Sequence, residues 1–312
     1  MGGGSWDTKK FANYTKSSRG ITLDFSGGYD TSHISDQEFF KARTINDALN
    51  PYNVMRECRD SAEHPCTIPV ILALDVTGSM GTAAKTCASK LNVIMTKIFE
   101  DKEVKDVEFM IVGIGDFKYD NCPLQASQFE SDIRIAEQLD QLYFEGGGGG
   151  NGFESYSAAW YFGLHNTDLD CNKRGCKGII ITMGDETLNP YIPAIGRKTT
   201  FEKVLGKSIE NDIETKELYE QARQKFDIYH INVEHCHDDF EAIKRSFAIL
   251  GENYRSSTID NLADNIIDII KNAAKNRESN SEDFVVPVET EDEVKTPVGF
   301  TANVNDKGEI TW

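Results

Sequence analysis

A seven-residue apolar run, Ile68 to Leu74, gives way at once to Asp75, Thr77 and Ser79 at alternate positions. Hydrophobicity without alternation over that length is the mark of a strand covered on both faces, as in parallel sheets packed between helices. Such a strand cannot stand alone. It demands a layer above and a layer below, so this one segment already commits the chain to an α/β architecture. The switch to a carboxylate and two hydroxyls marks the carboxyl end of the strand, where open α/β sheets present their ligand sites.

The rest of the pattern agrees. Ala84, Cys87, Ala88, Leu91, Ile94, Met95 and Ile98 recur at the three and four spacing of one buried helical face. Strands are predicted at Val107 to Ile114, Gly178 to Met183, Phe226 to Val233 and Tyr254 to Thr258, with a short edge strand over Pro123 to Phe129. Between them, Ile133 to Leu142, Tyr156 to Leu164, Thr215 to Lys225 and Phe240 to Leu250 read as helices, and Ile259, Leu262, Ala263, Ile266 and Ile270 give the apolar side of a closing helix. Strands alternating with helices over about 200 residues imply a doubly wound, mostly parallel sheet.

Three regions are expected. Residues 1–66 are polar and read as an extended arm packed on the core, residues 67–276 form the α/β domain, and residues 277–312 form an acidic tail with room for a terminal hairpin about Asn305 to Gly308. The net charge of −18, from 33 basic and 51 acidic residues, argues against nucleic acid or anionic lipid as a principal ligand and favours cations and basic protein surfaces. No apolar run reaches the roughly 20 residues of a membrane span, and Met1 to Trp6 lacks the regions of a secretory signal. Position 6 is Trp where a myristoylation signal at Gly2 needs Ser or Thr. The seven scattered cysteines suit free thiols in a reducing compartment, so a cytoplasmic location is expected.

Three strand or loop ends carry oxygen ligands: Asp75, Thr77 and Ser79 after the first strand, Asn151 and Glu154 after a five-glycine run, and Asp185 and Glu186 after Ile179 to Gly184. One carboxylate with two neutral hydroxyls leaves a divalent ion under-neutralised and able to accept a further carboxylate from outside. Taken alone, Asp75 reads equally well as a cap on the following helix. The joint placement is what favours a hard-cation site. The glycine run lacks the Gly-Lys-Ser or Gly-Lys-Thr ending of a phosphate loop, so its glycines are read as freedom for a tight turn that brings Glu154 to the ion.

Over residues 67–275 these motifs resemble the von Willebrand factor A family, whose metal-ion-dependent adhesion site combines a D-x-S-x-S loop, a second-loop ligand and an Asp after a central strand. Asp75, Thr77 and Ser79 match the first loop, with Thr in place of the first Ser, and Asp185 matches the third-loop aspartate. The second loop is more similar to the D-x-P-E loop of integrin β subunits and to the glycine-rich loop of the A domains in some α-kinases. That comparison implies Glu154 as the metal contact, with Ser155 or Ser157 in its place if the loop follows the other branch. Asn151 stands where the integrin loop has an Asp for an adjacent second ion, and Asp116 is either the other ligand of that ion or an orienting residue. The Trp6-Asp7 arm, the segments Arg56 to Ser61 and Pro123 to Glu130, and the glycine loop are also similar to uncharacterised bacterial and phage A-domain proteins.

The resemblance implies an intracellular binding module. It would hold Mg²⁺, or Mn²⁺ or Ca²⁺ in its place, at Asp75, Thr77, Ser79, Glu154 and Asp185, and a partner's Asp or Glu would complete the coordination. A chaperone-like ATPase or a second copy of the chain is the expected kind of partner. The alternatives are a metal-dependent hydrolase or phosphotransferase with Glu186 or Asp116 as base, and a scaffold in which arm and tail drive assembly. A haloacid-dehalogenase-type reaction at Asp75 lacks its second acid, because position 77 is Thr. Neither His235, Cys236 and His237 nor Cys58, His64 and Cys66 has the paired spacing of a zinc site, and the same holds for Cys171 and Cys176. Tyr156, Trp160, Tyr161 and Phe162 read as a helix face packed on the core.

Overall fold

The apolar run forms strand β1 (Ile68–Asp75), and every residue in it after Ile68 is buried. In the computed structural model, residues 5–101, 104–144, 152–234, 240–281, 303–304 and 310–311 are described. The chain divides into two units, Met1–Glu278 and Ser279–Trp312. In the second, Asn303–Val304 pairs antiparallel with Ile310–Thr311.

Five further strands join β1: β2 (Val107–Ile114), β3 (Leu124–Ala126), β4 (Gly178–Gly184), β5 (Phe226–Val233) and β6 (Tyr254–Ser257). Their spatial order is β6-β5-β4-β1-β2-β3. All neighbours run parallel except β3, which lies antiparallel to β2 at the edge. The chain is therefore α/β with a mostly parallel central sheet. Strand order reverses between β1 and β4, so their carboxyl ends flank the crevice where such sheets bind ligands.

Helices cover both faces. Val70, Leu72 and Leu74 of β1 pack with Ala84, Leu91 and Ile94 of helix α2 (Gly81–Phe99) and with Ile266 and Ile270 of helix α7 (Leu262–Ser281). The alternate residues Ile71 and Ala73 pack on the opposite side with Trp160 and Phe162 of helix α4 (Ser157–His165) and Leu218 of helix α5 (Thr215–Ala222). Helix α3 (Arg134–Asp140) lies with the first group. Helix α6 (Phe240–Ser246) lies with the second; it stops short of the expected Leu250, because Ala248–Asn253 tightens into 3₁₀ turns around Gly251 at φ 57°.

The arm differs from the extended segment read from sequence: Thr8–Arg19 is a helix, α1. Asp7 caps it by accepting from the Lys9 and Lys10 amides, and Gly20 ends it at φ 70°. Only Phe11 and Thr15 of α1 are buried, too thin a stripe to register as an amphipathic period. On both sides of α1 the arm touches α2. Asn92 accepts from Trp6 Nε1 at 3.0 Å and donates to the Gly27 carbonyl at 3.0 Å, while Lys85 donates to the Ile34 carbonyl and pairs with Asp36, both at 2.7 Å. These contacts let α2 keep Lys85 and Asn92 buried on a face that would otherwise need solvent.

Candidate functional site

Three loops meet at the carboxyl edge. In the first, the Val76 amide extends the ladder by one bond to the Ile114 carbonyl, and the chain then turns under the Asp75 carboxylate. Asp75 Oδ1 accepts from the Thr77 amide at 2.8 Å and from the Thr77 hydroxyl at 2.6 Å. Residues Gly78–Met80, Ser79 among them, form a 3₁₀ turn before α2. Helix α2 has no side-chain cap, so the reading of Asp75 as its cap does not hold: the carboxylate is taken up by Thr77.

In the second loop Phe153–Glu154 pairs in parallel with Thr187–Leu188, and the Asn189 amide donates to the Glu154 carbonyl at 3.0 Å. Ser155 Oγ accepts from the Phe117 amide at 3.0 Å and donates to Asp116 Oδ1 at 3.3 Å. Asp116 also accepts from the Lys118 amide at 2.9 Å and Asn189 Nδ2 at 3.3 Å. Asp116 and Ser155 thus brace the loops around Glu154, and Ser157 is held by the Thr215 hydroxyl at 3.2 Å. Asn151, the glycine run at 146–150 and His235 to His237 lie outside the described residues.

The third loop follows Gly184. Tyr156, Trp160, Tyr161 and Phe162 are all buried in the core, as expected from sequence, but Tyr156 also has a polar role. Tyr156 stands before the first residue of α4 and aims its hydroxyl into the site. That hydroxyl donates to Asp75 Oδ2 at 2.8 Å and accepts from the Glu186 amide at 3.2 Å. A Cβ on Gly184 would stand 1.9 Å from it, so glycine at the end of β4 is required by the close approach of the tyrosine. No sequence signal marked Tyr156 beyond its nearness to Glu154. Asn232 was also missed; it is fully buried, pairs with Gly184 across β4 and β5, and has no hydrogen-bond partner among the described residues for either amide atom.

Asp75, Glu154 and Asp185 are all buried, at 0%, 4% and 2% exposure. Burial, reinforced by the nearby Asp185 charge, pushes Asp75 up to about 7 although its hydrogen bonds from Thr77 and Tyr156 work the other way. Burial likewise holds Glu154 well above the ordinary carboxylate range, with Asp75, Asp120, Asp116 and Glu186 adding repulsion. Glu154 Oε2 is buried without a hydrogen-bond partner among the described residues. Among the same residues no group of three or more His, Cys, Asp or Glu side chains is gathered closely enough to hold a metal ion.

That result covers the Cys58, His64 and Cys66 group, which does not assemble. Cys58 is buried, its thiol pushed up by burial and by the Glu108 carboxylate, whereas Cys66 is exposed. Among the described residues no helix is long and apolar enough to cross a membrane.

Neither a family model nor a curated protein matches the chain. Among solved structures it is similar to the pilus adhesin SpaC from Lactobacillus rhamnosus GG in its open conformation. The TM-score is 0.47 at 13% identity, over 72% of this chain and 31% of the adhesin. A second crystal structure of that adhesin gives 0.46 at 13% identity, over 72% and 32%. Proximal thread matrix protein 1 from the mussel byssus gives 0.39 at 14%, over 67% and 47%. The chain spans less than half the length of each of these structures.

Proposed function

We propose that the chain is a doubly wound von Willebrand factor A-type domain that binds a divalent cation such as Mg²⁺ and, through it, an acidic side chain of a protein partner. The observation that carries this reading is Glu154 Oε2, buried without a hydrogen-bond partner among like charges. A carboxylate so placed needs either a proton or a cation. Asp75, Thr77, Ser79, Glu154 and Asp185 would hold the ion, an oxygen-only set suited to a hard cation, and the three carboxylates, not gathered closely enough for that in the metal-free chain, would have to draw together on it. When bound, the ion supplies a positive centre that attracts a carboxylate.

The hydrogen bonding at Asp75 supports an under-neutralised ion. Thr77 gives its proton to Asp75 and keeps its own lone pairs, so the hydroxyl can ligate while the carboxylate stands behind it. Both Asp75 oxygens are already accepting, one from Thr77 and one from Tyr156. Fewer directly bound anionic oxygens leave more attraction for an incoming one.

The test is a titration of chelated protein with Mg²⁺ and Mn²⁺, followed by heat and by melting temperature, beside Asp75→Ala. Saturable binding lost in the variant supports the reading and leads to a metal-dependent partner pull-down. No binding by the unaltered chain overturns it and leaves a scaffold. Metal-dependent turnover of phosphate esters, lost in Asp75→Ala, would replace the adhesion reading with the hydrolytic one.

A further inference from the structure

Tyr156 is fully buried and makes two hydrogen bonds with opposite roles through one oxygen. As donor it engages Asp75 on the first loop, and as acceptor it holds the Glu186 amide on the third. A phenol hydroxyl has one proton to give, so giving it to Asp75 orients its lone pairs toward the third loop. Its ring is fixed from below by His230 at 5.0 Å and Phe247 at 5.6 Å between centroids, and the space over Gly184 admits the hydroxyl only because no Cβ is there. The side chain therefore has little freedom to accommodate a change at either end. Neighbouring groups on the two loops are engaged elsewhere: the Thr77 hydroxyl closes back on Asp75, and the Leu188 amide is held by Ser246 Oγ at 3.0 Å.

We infer that Tyr156 is a positioning residue that relays the state of the Asp75 carboxylate to the backbone of the third loop at Glu186. Only the purpose of the relay rests on the metal-site reading: an event that draws on Asp75 is felt where Asp185 and Glu186 sit. The coupling itself exists in the metal-free chain, where it can be measured.

Amide hydrogen exchange is followed at Glu186 in chelator for the unaltered chain, Tyr156→Phe, Asp75→Ala and the double variant. Loss of one hydrogen bond speeds exchange by about five-fold. Tyr156→Phe and Asp75→Ala are each expected to speed exchange at Glu186 by about that factor. The double variant is expected to match Tyr156→Phe rather than multiply the two effects, since both break one connection. Exchange at Leu188 stays within about two-fold because Ser246 holds that amide. Mid-sheet Ile181 and Leu72 report global unfolding. If Tyr156→Phe does not fold, Asp75→Ala alone, with the ring intact, must still speed Glu186. Unchanged exchange at Glu186, multiplicative effects, or an equal rise at Leu188 overturns the relay. A parallel Mg²⁺ titration keeps the two ideas apart: absence of metal binding sinks the adhesion site and leaves the exchange result standing.

Discussion

Two acid-rich regions of this molecule treat their carboxylates in opposite ways. Beside the paired segments Arg56–Cys58 and Thr167–Leu169, the Arg59 guanidinium reaches Glu57, Asp168 and Asp170, and Arg174 pairs with Asp60. Asp168 and Asp170 are accordingly held below the ordinary range, first by hydrogen bonds from Arg59 and Lys173 respectively. At the carboxyl edge Asp75 and Glu154 are deeply buried and pushed upward. The first region is a finished structural network on the surface. The second carries a burden of desolvation and repulsion that a structural role does not require, and that burden is what the proposed cation would relieve.

The largest expected effect that sharpens this contrast is Asp75→Ala, which should abolish the metal-dependent rise in melting temperature. An unchanged rise would mean the edge acids do not form the site. Next, Glu154→Gln removes a buried ionisable group among like charges and should raise the metal-free melting temperature while weakening Mn²⁺ binding at least about ten-fold, the lower bound for losing even an outer-shell contact. Calorimetric titration and thermal melts of the same sample measure both. A stability gain without loss of affinity would detach Glu154 from the metal.

The pH response should separate the regions as well. The folded Asp75 value of about 7 lies above its ordinary 3.8, so between those values the folded chain holds a proton that the unfolded chain has released. Its contribution to metal-free stability is present below about pH 4 and is lost as pH rises through about 7. Asp168 and Asp170 run the other way, adding stability above their ordinary value and losing it as pH falls below it. Melts from pH 4 to 8 in chelator should therefore fall with pH for the unaltered chain and less steeply in Asp75→Ala, where burial still holds Glu154 above the ordinary range.

Asn232→Leu removes a buried amide with no partner among the described residues and should stabilise the chain by about 1 kcal/mol in denaturant titrations; a loss would show that the amide is engaged in solution. The smallest effect is expected from Arg59→Ala, less than about 1 kcal/mol and reduced further by salt, because its partners are half-exposed. A large, salt-independent loss there would erase the contrast between the two regions.

Much of the architecture was legible in order along the chain. The unbroken run into β1, the three and four spacing of α2 and the alternation that follows each depend on local pattern and on how many faces a segment must bury. Helix α1 escaped because it buries so little, and the break after Ser246 escaped because Phe247 and Leu250 keep a helical spacing through the turn. In the site, Asp75, Thr77 and Asp185 could be chosen from sequence because they end strands; Tyr156 could not, since an aromatic beside Trp160 and Phe162 reads as core.

What the sequence determined by itself is the α/β class, the sheet's carboxyl edge and the oxygen-bearing residues placed there, because periodicity and strand ends are local properties. Only the tertiary structure decided which acids are buried among like charges and which are paired with a guanidinium. It also decided that Thr77 and Tyr156 hold Asp75, and that Gly184 must lack a side chain. Those outcomes depend on burial and on contacts between segments as far apart as Asp75 and Tyr156, and the energy of a charge is set by the surroundings that folding assembles around it.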